Sequence, residues 1–268
     1  MSLKKTLTIA GSDSSGGAGL QADLKTFQEL GVYGMSAVTS IVAMDPKDWS
    51  HKVYPIETPI VETQLDTILS TGIDAMKTGM LGTVDIIELA AKKIKEYNLD
   101  KVVIDPVMVC KGTDEVLMPE NTVAMRELLL PLATVVTPNL FEAWQLSGLG
   151  PITTIEEMQR AAQIIHEQGA KYVLIKGGTK LEGQDKAIDL VYDGKNFTVL
   201  ESEKMQTTYT HGAGCTTAAA ITAELAKGKS VEEALETAKN FISAAIEHGW
   251  KLNEFVGPVM HGAYRNFK

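Results

Sequence analysis

The stretch Tyr209-Thr210-His211-Gly212-Ala213-Gly214-Cys215-Thr216-Thr217 puts two glycines, two positions apart, directly ahead of a run of helix formers that continues to Ala226. The glycines let the chain turn with its amides bare, and the run behind them aims a helix N-terminus at whatever lies in front. Unpaired N–H groups and the positive end of the helix dipole collect there, so the place favours an anion. Cys215 falls at that terminus, where a thiol is expected to have its pKa lowered toward the thiolate. One turn therefore offers a cradle for an oxyanion or phosphate together with a candidate base or nucleophile. A tight entry to a core helix, with Cys215 as a small apolar residue, explains the same residues. The rest of the chain has to decide.

Asn139 and Glu142 stand three apart where a helix follows an apolar run, which puts an amide and a carboxylate on one face of its first turn. A magnesium ion bridging phosphates wants such a carboxylate, directly or through water. A capping box, with Asn139 as the cap and Glu142 as its partner, accounts for the pair equally well. Lys176-Gly177-Gly178 adds a cation and two permissive backbone positions, which suit a triphosphate tail or a plain turn. Asp105-Pro106 supplies another carboxylate at the end of an apolar run. Gly17-Ala18-Gly19-Leu20-Gln21-Ala22 fits the Gly-x-Gly-x-x-Gly/Ala pattern of dinucleotide binders. Five residues, Ser12 to Gly16, separate it from the glycine that ends the preceding strand, whereas the fingerprint needs its first glycine in that turn. A dinucleotide-dependent oxidoreductase is the outside alternative, and no Walker phosphate loop is present.

The elements that must position these residues alternate. Apolar runs at 6–10, 36–43, 75–77, 102–104, 135–137 and 172–175 read as strands. Helical patterns cover 20–30, 59–69, 84–97, 120–129, 140–147, 155–168 and 231–248. This order predicts an α/β fold with a mostly parallel sheet and crossover helices on both faces. A short extended piece is expected at 52–54. One region breaks the rhythm: 187–192 and 197–202 around Asp193-Gly194 predict an antiparallel hairpin at a sheet edge. Ligands of open α/β sheets bind beyond the C-terminal strand ends. Those ends are 11–19, 43–45, 78–80, 105–112, 137–142 and 176–178, the most polar and glycine-rich loops of the chain. His211 is expected as a wall of the site or a helix-entry cap, and His51 on the surface.

The chain has 268 residues, 44% of them hydrophobic, which suits one large domain over 1–268. A formal charge of −9 without a basic block argues against a nucleic-acid partner. No 18-residue apolar run or signal peptide is evident, so no membrane partner and a cytoplasmic location are expected. The two cysteines, Cys110 and Cys215, lack zinc-site spacing and fit a reducing compartment.

Taken in order, the motifs resemble one family. Gly11-Ser12-Asp13-Ser14-Ser15-Gly16-Gly17-Ala18-Gly19-Leu20-Gln21-Ala22-Asp23-Leu24-Lys25-Thr26 is similar to the N-terminal signature of hydroxymethylpyrimidine kinases. So are Lys77-Thr78-Gly79-Met80-Leu81, Asp105-Pro106-Val107-Met108, Thr137-Pro138-Asn139-Leu140-Phe141-Glu142-Ala143, Lys176-Gly177-Gly178 and Thr210-His211-Gly212-Ala213-Gly214-Cys215-Thr216. The resemblance spans nearly the whole chain. It implies the ribokinase-like three-layer α/β/α sandwich and transfer of the ATP γ-phosphoryl group to a hydroxymethyl on a small heteroaromatic ring. By that resemblance Gly212, Ala213 and Gly214 form an anion hole, Asn139, Lys176, Gly177 and Gly178 serve ATP, and Glu142 holds Mg2+ through water. Gly11, Ala18, Asp23, Met44, Met80 and Val107 would line the ring pocket, and a homodimer is implied.

Two departures narrow the reading. The pyrimidine enzymes usually carry a glutamine where this chain has Met44, and a thioether cannot donate to an aminopyrimidine edge. The segment Val109-Cys110-Lys111-Gly112 adds a second thiol. Both features resemble the dual-cysteine bacterial pyridoxal kinases of vitamin B6 salvage, in which two cysteines replace the usual aspartate base. The implied reaction is phosphorylation of the 5′-hydroxymethyl of pyridoxal, with hydroxymethylpyrimidine/phosphomethylpyrimidine kinase of thiamine biosynthesis as the alternative. Cys110 and Cys215 are the candidate catalytic thiols, and Cys215 acts either as a base or as a nucleophile toward the pyridoxal aldehyde.

Overall fold

The computed structural model describes residues 3–108, 119–181 and 183–267. Valine- and isoleucine-rich runs alternate their side chains between two layers of helix. In β5 (Val102–Ile104), Val102 and Ile104 join one apolar cluster while Val103 joins the other. A strand buried on both faces needs no polar alternation, which is why it reads as a continuous apolar run. The remaining strands are β1 (Lys5–Asp13), β2 (Tyr33–Met44), β3 (His51–Pro55), β4 (Ala75–Thr78), β6 (Val135–Val136), β7 (Tyr172–Gly178), β8 (Lys186–Tyr192) and β9 (Phe197–Glu203). Among the described residues they form one nine-stranded sheet in the order β3-β2-β1-β4-β5-β6-β7-β8-β9.

The run from β2 to β7 is parallel throughout. Both edges are antiparallel. The β8–β9 hairpin closes one edge as the sequence predicts. At the other, β3 pairs antiparallel with β2, a second break in the alternation where the sequence predicts only a short extended piece. Five residues ending in a proline and largely exposed carry almost no periodic signal.

Helices α1 (Gly19–Glu29), α7 (Ala213–Ala226) and α8 (Val231–Glu247) cover one face of the sheet. Helices α2 (Thr58–Leu69), α3 (Val84–Glu96), α5 (Leu140–Ser147) and α6 (Ile155–Glu167) cover the other. The short helices α4 (Pro119–Ala124) and α9 (Ala263–Asn266) complete the set. The helix expected over 120–129 changes to a π-helical turn at Met125–Leu129 and a 3-10 turn at Leu130–Leu132, where Pro131 removes a ladder donor. Small residues on α7 let neighbours close in: Phe27 of α1 packs with Ala219 and Ala223.

The topology fixes where a ligand can sit. From β1 the chain first adds β2 on one side and then β4 on the other. Between those opposed crossovers a crevice opens beyond the strand ends. β1 runs three residues past its expected end, because Ser12 and Asp13 pair with Ile41 and Val42 after a register shift at Gly11. A side chain at Gly11 would run into Ser40 and Met80.

Candidate active site

A cleft of about 660 Å³ occupies that crevice. The ends of β1, β2, β4 and β5 contribute Gly11, Met44, Met80 and Val107 to its wall, and Ala18 joins them from the loop ahead of α1. Opposite stand Asn139 and Glu142 of α5, Lys176, Gly177 and Gly178 of β7, and Gly212, Ala213, Gly214 and Cys215 at the start of α7. Met44 pairs with His51 across the β2–β3 turn, and His51 lines the cleft rather than the outer surface.

Gly212 is the N-cap of α7 with φ 83°, a conformation favouring glycine, and any side chain there would meet the backbone of Gly17. The first amides of a helix have no partner within it. That of Ala213 donates to Thr210 O at 3.1 Å. The amides of Gly214 and Cys215, both residues of the cleft wall, are then the donors α7 offers an anion.

The floor is charged and paired. Lys176 Nζ donates to Asp105 Oδ1 at 3.0 Å, and Thr137 Oγ1 donates to the same oxygen at 3.1 Å. Burial alone would raise Asp105, but the Lys176 and Lys77 ammonium groups outweigh it and hold the carboxyl below its usual value. Asp23, expected in the ring pocket, is wholly buried beneath the cleft and is no part of its wall. It accepts from Thr8 Oγ1 at 2.6 Å and from Lys77 Nζ at 2.9 Å, so its carboxylate neutralises a buried lysine. Burial would depress Lys77, yet the Asp23 carboxylate overrides it and raises the pKa.

Cys215 also departs from expectation. Burial pushes its thiol up to about 11, and the nearby Lys77 charge offsets only part of that. Desolvation disfavours a thiolate more strongly here than the helix terminus favours it. Cys110 lies outside the described residues.

Asn139 and Glu142 do form the capping box: Asn139 Oδ1 accepts from the Glu142 amide at 2.9 Å, and Glu142 Oε2 from the Asn139 amide at 2.8 Å. Burial raises Glu142 to about 7 despite Lys176 nearby. Among the described residues no group of three His, Cys, Asp or Glu side chains gathers to hold a metal. Such a donor set fits only a cation bound chiefly by a phosphate ligand, with Glu142 Oε1 adding a contact through water.

Two pairings at the site carried no signal in the sequence. Asp13, in the cleft wall, pairs with His211 across the top of α7. Asp189 accepts from the Gly178 amide at 3.2 Å and from Lys239 Nζ at 2.8 Å, bracing the glycine turn of β7 from behind. Only the rule that buried charged side chains require partners could have prompted a search for such pairs.

The cleft's order of parts recurs in known proteins. A family model described as phosphomethylpyrimidine kinase matches residues 13–260. The chain belongs to that family. Within it, the pyridoxine kinase of Bacillus subtilis is 63% identical over 267 residues, 99% of this chain and 98% of that one. A hydroxymethylpyrimidine/phosphomethylpyrimidine kinase of the same organism is 43% identical over 266 residues, 99% of this chain and 97% of that one. The structure of the Staphylococcus aureus pyridoxal kinase with AMP-PCP and pyridoxal superposes with a TM-score of 0.95 at 57% identity, covering 100% of this chain and 97% of that one. The fold is ribokinase-like, as the sequence resemblance implied. These matches leave the oxidoreductase alternative without support.

Proposed function

We propose that the chain transfers the γ-phosphoryl group of ATP to the 5′-hydroxymethyl of pyridoxal and related B6 vitamers, giving pyridoxal 5′-phosphate. The observation that carries this reading is one cleft in which an apolar ring wall meets the bare amides of α7 and the Lys176 turn. Phosphoryl transfer needs little covalent help from a protein, since positioning and charge stabilisation supply most of the rate. Met44, Met80 and Val107 hold the ring, and Gly11 and Ala18 let it lie close to the backbone. Gly178 and Asn139 border the nucleotide, and Lys176 meets its phosphates while staying paired to Asp105. The amides of Gly214 and Cys215 receive the charge that develops on the transferring group.

Burial keeps Cys215 protonated. Its service as proton acceptor therefore requires ionisation when substrates bind, with Lys77 as the counter-charge. Cys110 is the second candidate thiol by resemblance. Glu142 would hold Mg2+ through water, and the ion would offset the negative charge of the phosphates. By the same resemblance the chain works as one kinase domain over 1–268, as a homodimer in the cytoplasm. Among the described residues no helix is long and apolar enough to cross a membrane.

Met44 separates this reading from the pyrimidine alternative. A thioether at the ring wall offers an aminopyrimidine no donor, whereas a pyridine needs none there. Coupled ADP-release assays with pyridoxal, pyridoxine and hydroxymethylpyrimidine should give the highest kcat/KM for a B6 vitamer. Met44→Gln should move the ratio toward the pyrimidine by about tenfold or more, since a site built to hydrogen-bond a polar edge discriminates strongly and one substitution restores part of that. A higher kcat/KM on hydroxymethylpyrimidine in the unaltered chain would overturn the assignment.

A further inference from the structure

Two loops meet over the cleft, one from each end of the chain. The first leaves the end of β1, which holds Gly11, and runs through Ala18 to Gly19 at the start of α1. The second carries Gly212, Ala213 and Gly214. Asp13 joins them. Its Oδ1 accepts from the Ser15 amide at 2.8 Å, and its Oδ2 accepts from Ser15 Oγ at 2.9 Å and the Ala18 amide at 2.8 Å. The remaining partner is His211 Nε2, 2.8 Å from Oδ2. Burial would raise this carboxyl, but the bonds from His211 and Ser15 bring it down to about 2, so it is ionised and can only accept. His211 must then carry its proton on Nε2.

The imidazole and the backbone that carries it are both held in place. It is buried, and it lies so close over Gly17 that a side chain there would collide with the ring. The His211 amide donates to Gly257 O at 3.1 Å, and its carbonyl accepts from the Val259 amide at 3.2 Å. Next in sequence comes Gly212, which abuts the Gly17 carbonyl. The ring therefore spans from the carboxylate of one loop to the turn of the other, at the residue that begins α7.

We propose that His211 is a positioning residue for phosphoryl transfer: through Asp13 it sets the height of the 212–215 turn over the loop that seats the ring. Asp13 touches the cleft and His211 lies in its wall, yet the inferred work of the pair is registration of one loop on the other. Reactions that depend on alignment lose on the order of 100-fold for a displacement of about 1 Å. The inference rests on the kinase reading above, and its test includes a readout that does not.

His211→Leu removes the donor and keeps bulk. His211→Gln restores an N–H the same number of bonds from Cα. With pyridoxal and ATP, His211→Leu should lower kcat by about 30-fold or more while both KM values stay within about twofold, and His211→Gln should regain kcat to within about fivefold of the unaltered chain. Hydrogen exchange over residues 210–216 should quicken in His211→Leu and return toward normal in His211→Gln. If His211→Leu does not fold, Asp13→Asn is the second variant and should give the same pattern. A His211→Leu enzyme with near-normal kcat, a loss confined to KM, or a glutamine variant no better than leucine would overturn the proposal. Failure of the unaltered chain on every B6 vitamer would sink the kinase reading alone; unchanged exchange in His211→Leu would sink the coupling whatever the substrate.

Discussion

Gly212→Ala puts the anion-hole reading to its sharpest test. Gly212 sits at φ 83°, where an L-residue with a Cβ is strained by about 1–2 kcal/mol. The new methyl would also fall inside the shell of the Gly17 carbonyl oxygen, and the two must part by more than about 1 Å to reach an ordinary contact. Gly17 is backbone, held under the His211 ring, so the turn itself has to move. A displacement of that size lowers a rate that depends on alignment on the order of 100-fold. Gly214→Ala is the control. Its methyl would meet only Lys176 Nζ at 3.3 Å, the end of a flexible chain, and kcat should fall by less than about tenfold. Coupled ADP release with pyridoxal, alongside thermal unfolding, reads both quantities. Gly212→Ala should lose about 100-fold in kcat and several degrees in Tm. If its kcat stays within about fivefold of the unaltered chain, the turn is not the phosphoryl cradle.

Two further outcomes follow from ionisation. Glu142 is raised by burial from 4.5 to about 7, so between those values the folded chain holds a proton that the unfolded chain has lost. That contribution to stability is present in full below pH 4.5 and disappears as pH rises through about 7. A cation beside the carboxylate favours its charged form, so adding Mg2+ with AMP-PCP near pH 6 should release a proton that Glu142→Gln does not. Titration calorimetry in two buffers of different ionisation enthalpy detects it, and identical release from both proteins would return Glu142 to capping alone. Cys215, held at about 11, should react with iodoacetamide in a Cys110→Ala background about two orders of magnitude more slowly than a free thiol at neutral pH. The rate should keep climbing about tenfold per pH unit above about pH 9, where a free thiol levels off; a rate near the free-thiol value that levels off there would contradict the burial argument.

What could be read from the sequence were features with local causes. Gly212-Ala213-Gly214 ahead of a helix, the capping pair Asn139 and Glu142, and the Asp193-Gly194 hairpin each announce themselves within a few residues. Asp23 misled because it lies inside a glycine-rich motif, yet it points inward from α1 to a lysine 54 positions away. Asp13 and His211 are 198 positions apart, and no periodicity connects them. The Cys215 ionisation failed for a related reason. Its helix terminus is visible in the sequence, but the packing around this half-buried residue, which raises the thiol, is revealed only in the folded chain.

The Asp23–Lys77 pair has a consequence for how such a chain can change. Both side chains are fully enclosed. Losing either partner alone strands a charge in the interior, at about 3–5 kcal/mol out of a typical total near 5–15 kcal/mol. Replacing both at once is far milder. One codon at a time, mutational drift is therefore blocked at these two positions, and α1 stays fastened to β4 with the glycine loop above it. Met44 stands under no such constraint, since a thioether in the cleft wall can be exchanged for an amide without orphaning any charge. Substrate preference can wander from one vitamin ring to another by single steps while the floor beneath stays frozen.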